Sequence, residues 1–254
     1  MSVFNELLIF LAAVVAGFIN AMAGGGTLVS FPVLLAVGIS PVAANVTNTV
    51  ALVPGTIGGM WAQRREFQSQ RKRLVKLLPG GIIGGIVGGL LILNTNENTF
   101  RAIIPYLILL ATALLAVQVK VKNWVVSRMG HVHNEYQNPL LMIILVFLAA
   151  VYGGYFCAGL GVILMATLGL VTDENMTSLN FLKQALGFAI NFAAAIYFAF
   201  SGKVNWLVAF VMIFGSLLGG WVGGMLAGRV KPEVLRWIVV SAGLIASVIF
   251  FVKS

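Results

Sequence analysis

Charge is what this chain has least of. Only 9% of its 254 residues are Asp, Glu, Lys or Arg, and residues 7–63 contain none of these and no histidine. A soluble domain carries about a quarter charged residues, so a water-soluble fold is excluded. Carboxylates number seven. Glu6, Glu66, Glu97, Glu135, Asp173, Glu174 and Glu233 all fall at the ends of apolar runs or in polar loops, which leaves no converging acid and base for a membrane hydrolase or oxidoreductase. The same scarcity removes any proton relay of buried Asp, Glu or His. Outward movement of an anion needs none, because an inside-negative potential favours it by about 2.3 kcal/mol per charge per 100 mV. The single cysteine, Cys157, cannot close an intramolecular disulfide. The two histidines, His131 and His133, share a polar "HVH" loop without further ligands and read as solvated rather than metal-binding, and no cofactor motif is present. The opening "MSVFNELLIFLAAVV" lacks the basic n-region of a secretory signal and reads as a retained first membrane segment.

What fills the chain is apolar: 60% hydrophobic residues and a mean hydropathy of +1.01. The runs are continuous, without the period-two alternation of an outer-membrane barrel, so the spans are helical. The sequence predicts an all-α, multi-pass integral membrane protein. The net charge of +9 does not indicate a nucleic-acid surface, since six of the sixteen basic residues crowd into "RREFQSQRKRLVK", opening at Arg64 and closing at Lys76. No second basic patch or aromatic interleaving accompanies it. This stretch reads as a cytoplasmic anchor beside anionic lipid.

Apolar runs cover residues 4–22, 27–37, 42–62, 77–93 and 101–119, and a second series covers 140–157, 162–170, 176–200, 206–227 and 235–252. The second run of each series is too short to span alone. Adding 135 superposes the series without a gap: Gly24 and Gly26 fall on Gly159 and Gly161, Asn45 on Asn180, Gly84, Gly85, Gly88 and Gly89 on Gly219, Gly220, Gly223 and Gly224, and Arg101 on Arg236. This register predicts a duplication, with a first membrane repeat at 1–119, a polar connection at 120–138 and a second repeat at 139–254. Two fused repeats are a transporter architecture with its site near the midplane. If each broken pair makes one crossing, there are about eight spans, with residues 64–76, 118–138 and 201–205 on the inside together with the C-terminus. If the short runs cross separately, the halves are inverted and residues 228–233 move inside. The Lys/Arg tally differs by only about one residue between these arrangements, so charge does not choose.

"AMAGGG" and "YFCAGLG" break the membrane runs in both halves. Irregular backbone survives in a bilayer only where protein or water surrounds it. A helix beginning there presents free N–H groups and a positive dipole end, which together attract an anion. The alternative is a kink or close packing. After each short run come "ANVTNT" and "LNFLKQ", in which Asn48 corresponds to Lys183. A lysine at depth marks a site, or it snorkels to the interface. The candidate substrate-binding set is Asn20, Gly24, Gly25, Gly26, Thr27, Asn45, Asn48, Gly159, Gly161, Asn180, Lys183 and Gln184, with Asn191 as a further donor; interhelical bonding is the competing role for the amides. The four-residue glycine spacing of "GGIIGGIVGG" and "GSLLGGWVGG" predicts close helix packing.

The stretch "GFINAMAGGGTLVSFPVLLAVGISPVAANVTNTVALVPGTIGG", with "YGGYFCAGLGVILM" and "NFLKQALGFAINFAAAIYFAFSGKVNW" in the second half, resembles the sulfite exporter TauE/SafE family, also called the 4-toluene sulfonate uptake permease family. The resemblance covers nearly the whole chain. It implies an inner-membrane permease for small sulfur-containing anions such as sulfite, thiosulfate, sulfonates or sulfoacetate, with import or export and self-association left open. An anion channel or facilitator for another small anion is the alternative. Leu160 stands where the first half has Gly25, a departure that questions the equivalence of the two half-sites.

Overall fold

The computed structural model describes residues 2–22, 25–62, 66–128, 139–171, 176–226 and 232–253. These residues form ten helices: α1 (Val3–Met22), α2 (Thr27–Ala36), α3 (Pro41–Ala62), α4 (Phe67–Asn94), α5 (Glu97–Arg128), α6 (Pro139–Phe156), α7 (Leu160–Val171), α8 (Met176–Ala199), α9 (Trp206–Leu226) and α10 (Pro232–Lys253). No strand occurs among them. Six of the ten are long and apolar enough to cross a membrane. At 10 and 12 residues, α2 and α7 reach only about 15–18 Å, half of a hydrocarbon core of about 30 Å.

Two helices outrun their apolar segments. α4 starts at Phe67 rather than Leu77, and α5 continues past Val119 to Arg128. Arg, Lys, Gln and Leu are strong helix formers, so loss of hydropathy marks the edge of the apolar run and not the end of the helix. Gly24, Arg64, Arg65, His131 and His133 lie outside the described residues, as does most of the 120–138 connection beyond the end of α5.

Glycine spacing sets which helices meet. A Cβ on Gly84 would sit 2.6 Å from the Phe147 carbonyl oxygen, and one on Gly88 would overlap that of Val151, so the backbones of α4 and α6 are in contact. The adjacent stripe of α4 faces α8, where a Cβ on Gly85 would lie 2.7 Å from the Ile190 carbonyl oxygen. α9 does the same on the other side. Gly215, Gly219 and Gly223 lie against Phe10, Val14 and Phe18 of α1, and Gly220 lies against Gly55 of α3. Between helices in lipid the attraction is packing, which small residues maximise. On the outside, Phe214, Trp221, Ile245 and Val248 are more than half exposed, an apolar surface suited to acyl chains.

Polar contacts at the helix ends fix the directions. Ser40 Oγ and the Val42 N–H donate to Glu97 at 2.9 and 3.1 Å, so the start of α3 sits beside the start of α5. A carboxylate there satisfies open N–H groups and faces the positive dipole end. Lys203 Nζ, just past α8, donates to the Leu93 carbonyl at 3.2 Å. At the opposite end, Ser178 Oγ near the start of α8 donates to Glu66 at 2.9 Å, and Glu66 immediately precedes α4. α3 therefore leaves the Glu97 end while α8 arrives at it, and the two run antiparallel. α9 begins at the Glu97 end, where the Asn205 N–H donates to Thr47 Oγ1 at 3.0 Å.

Candidate functional site

Each short helix is preceded by one residue in left-handed backbone, Gly25 at φ +92° and Gly159 at φ +81°. Glycine reaches that region without a Cβ penalty. The two turns are not at offset-equivalent positions, because Gly159 corresponds to Gly24. Making the turn one residue earlier frees Leu160 to be the first residue of α7. That is how the second half accommodates a leucine where the first has Gly25.

The breaks come together. Thr27 Oγ1 at the head of α2 lies 3.2 Å from Cys157 Sγ just before α7, and beside this contact opens a cavity of about 190 Å³. The two breaks contribute Asn20, Gly25, Thr27, Cys157, Gly159 and Gly161 to its wall. α8 contributes Lys183, Gln184, Gly187, Phe188 and Asn191, and α3 contributes Thr49, Leu52, Val53 and Thr56. No Asp or Glu is among the described residues of the lining.

The α7 end of this cavity is the electropositive one. Lys183 Nζ donates to Asn180 Oδ1 at 3.2 Å, which occupies one of its three protons. The lysine stem passes beside the head of α7, where a Cβ on Gly161 would meet only Lys183 Cδ, at 3.8 Å. Among the described residues, no side chain caps the Gly161 N–H. At the head of α2 the equivalent group is taken: the Gly26 N–H donates to Asn20 Oδ1 at 2.8 Å. The Gly161 N–H therefore stands on the cavity wall with the Lys183 stem beside it.

Not every candidate amide is brought here. Asn48 is fully buried, accepting from Ser30 Oγ at 2.5 Å and donating to Thr27 Oγ1 at 3.4 Å, a network that ties α3 to α2. Asn45 donates to the Tyr155 carbonyl at 2.9 Å and joins α3 to the end of α6. Asn180 reaches the site only through Lys183, and Gly26 packs against the Ala16 backbone. Cys157, Thr49 and Thr56 join the wall without having been singled out. The threonines stand at 49 and 56, and adding 135 gives Gln184 and Asn191, so the register of the two series was the signal that could have found them.

The sequence model of the sulfite exporter TauE/SafE family matches residues 9–250. The chain belongs to this family. Relatives within reach of it include a probable membrane transporter protein of Haemophilus influenzae, 28% identical over 213 residues, which covers 83% of this chain and 80% of that protein. The probable membrane transporter protein YfcA of Escherichia coli K12 is 25% identical over 230 residues, 86% of this chain and 82% of that one. No solved structure matches. As a TauE/SafE family member with several spanning helices, the protein is a multi-pass membrane transporter of the bacterial membrane.

Proposed function

We propose that this transporter is a permease for small sulfur-containing anions, which bind in the cavity between the two helix breaks. One observation carries the reading. The only formal charge on the described cavity wall is the cation Lys183, set beside an uncapped helix start, with no carboxylate to neutralise it. The family description supplies sulfur as the central atom. Such a site binds an oxyanion by hydrogen bonds and dipole rather than by a cluster of charges.

The walls fit two homologous halves of opposite orientation. Shifting α1, α3 and α4 by 135 residues brings them onto α6, α8 and α9 to within a few residues at their ends, and α3 and α8 run in opposite directions. Inverted repeats place the substrate site at their pseudo-symmetric centre. The basic residues Arg71, Lys72, Arg73 and Lys76 lie toward the Glu66 end of α4, against Arg101 and Lys203 toward the other. By the positive-inside rule the Glu66 end is cytoplasmic, where the basic turn of α4 meets anionic lipid.

The test is flux in proteoliposomes. Entry of sulfite, thiosulfate and short sulfonates is expected to saturate and to be accelerated by the same anion on the far side, as alternating access requires. Linear, non-saturating flux would assign the protein to the channels, and no flux of any sulfur anion would overturn the substrate class.

A further inference from the structure

The cavity is tight at one end and loose at the other. On α8 the wall residues Lys183, Gln184, Gly187, Phe188 and Asn191 are half-buried, whereas Ala194 and Phe198, the next positions of the same stripe toward the Glu97 end, are fully buried. α3 shows the same gradient, with Thr49, Leu52 and Val53 buried and Thr56 half-buried. Gln118 also lines the wall, and it stands about 30 Å of helix rise along α5 from Glu97. The cavity therefore reaches toward the Glu66 end and stops short of the Glu97 end.

What stops it is aromatic. Phe31 lies one turn past Thr27 on α2, and Phe156 immediately precedes Cys157, so both adjoin residues of the cavity wall. Their rings meet edge to face, with centroids 5.4 Å apart at 86°. Phe31 also meets Phe100 of α5 at 6.5 Å, and Phe100 meets Tyr155 at 5.9 Å. Phe31, Phe100 and Phe156 are each no more than 1% exposed. Phe100 sits in the first turn of α5 beside Glu97, and the Tyr155 hydroxyl lies 3.4 Å from Thr95 Oγ1, just past the end of α4. The rings therefore fill the space between the cavity and the Glu97 end.

They also sit on a seam. One buried cluster draws on α4, α6, α7 and α8, with Val125 of α5. The other is built mainly from α1, α2, α3, α5, α9 and α10. What it takes from the first group is Ile92, Phe156, Ala158, Ala194 and Phe198, and the four helical residues among these all lie toward the Glu97 end. Two ring contacts cross the seam, Phe31 to Phe156 and Phe100 to Tyr155. Within the groups, α9 is locked against α1 and α4 against α6 by backbone contact at their glycines. Edge-to-face rings are individually modest contacts that part and re-form, which close-packed backbones do not. Two packed groups of helices open one side and close the other by moving as rigid bodies about such a seam.

Resting on the permease reading above, we infer that Phe31, Phe100, Tyr155 and Phe156 form the outer gate of the transporter, shut in this structure while the cavity opens toward the Glu66 end. An apolar plug suits an anion path, because an anion pays a large desolvation cost to enter a gap lined by rings. Opening requires Phe31 to leave Phe156, which would expose the neighbouring Thr27 and Cys157 to the Glu97 side.

The experiment labels Cys157, the sole cysteine, in the full chain. Sealed membrane vesicles of both orientations are treated with a membrane-impermeant maleimide carrying a quaternary ammonium, and the label is read on the chain purified afterwards. Labelling is expected to be severalfold faster from the cytoplasmic side, to which the Glu66 end is assigned, than from the other. Phe31→Ala is expected to raise the far-side rate severalfold and to leave the cytoplasmic rate unchanged, which is also the control for folding. Phe100→Leu, a smaller truncation, is expected to do the same to a lesser degree. Equal wild-type rates from the two sides, a faster rate from the Glu97 side, or far-side rates unmoved in both variants would each overturn the inference. So would rates that rise together from both sides, since that pattern is a loosened bundle and not a gate. The labelling needs no substrate, so the expected pattern in a protein that carries no sulfur anion would remove the permease reading alone.

Discussion

Lys183→Gln is expected to weaken anion binding about tenfold to a hundredfold and to leave the ligand-free protein as stable as before, or more so. The first half follows from the loss of a charge-assisted hydrogen bond, worth about 1.5–3 kcal/mol, at the one cationic position on the described wall. The second follows from what surrounds the lysine at rest. It donates to the neutral Asn180 amide, and no carboxylate lines the cavity among the described residues, so removing the charge relieves a desolvation cost without orphaning an opposite charge. Isothermal titration and thermal unfolding of the same preparation separate the two effects. A variant that binds as the wild type does would show that Lys183 snorkels to the interface. One that loses stability along with affinity would make it a structural residue.

Gly219→Ala is expected to be the most damaging small substitution in the membrane core. The added methyl would overlap the Val14 carbonyl oxygen and stand 2.9 Å from the Phe18 N–H nitrogen, both backbone atoms of α1. No rotamer relieves a clash between backbones, so α1 and α9 must separate. Overpacking of this kind costs about 1–3 kcal/mol or more, and in lipid the lost contact is the main attraction between the helices. Gly187→Ala on α8 is the control. Its methyl would meet Leu164 Cδ1 at an ordinary 3.8 Å, and alanine in place of a helical glycine gains up to about 1 kcal/mol. Thermal unfolding in detergent should therefore fall sharply for Gly219→Ala and hold or rise for Gly187→Ala. Equal effects would mean that the glycine stripes are not the packing surfaces described above.

Much of this could be read from the chain because the lipid environment removes choices. A run of residues 7–63 without charge can only be helical in a bilayer, and glycines interrupting it had to be surrounded by protein or water. Lys183 stood out for the same reason: a charge at depth is costly enough to need a purpose. The asparagines were harder. An amide in an apolar run serves a ligand or a neighbouring helix equally well, and only the Ser30–Asn48 and Asn45–Tyr155 bonds tie two of them to neighbouring helices while Asn191 lies on the cavity wall. The relative direction of α3 and α8 was hidden because the Lys/Arg tallies of the two arrangements nearly balanced. It took Glu66 and Glu97, each receiving a bond from the start of a different helix, to orient α8 against α3. The asymmetry of the breaks was visible only as Leu160 in place of a glycine. Its consequence, a left-handed turn moved to Gly159, depends on backbone angles that sequence does not carry.

Cys157 offers the most direct measurement, because it is the sole cysteine of the chain and lies on the cavity wall, 3.2 Å from Thr27. A thiol-reactive maleimide applied to the unmodified protein therefore reports on the cavity alone. Labelling is predicted to slow severalfold at sulfonate concentrations that saturate flux and to be unaffected by chloride at equal ionic strength. If the sulfonate is transported while Cys157 reacts at an unchanged rate, the anion does not pass through the cavity between the two helix breaks, and the proposed site is wrong.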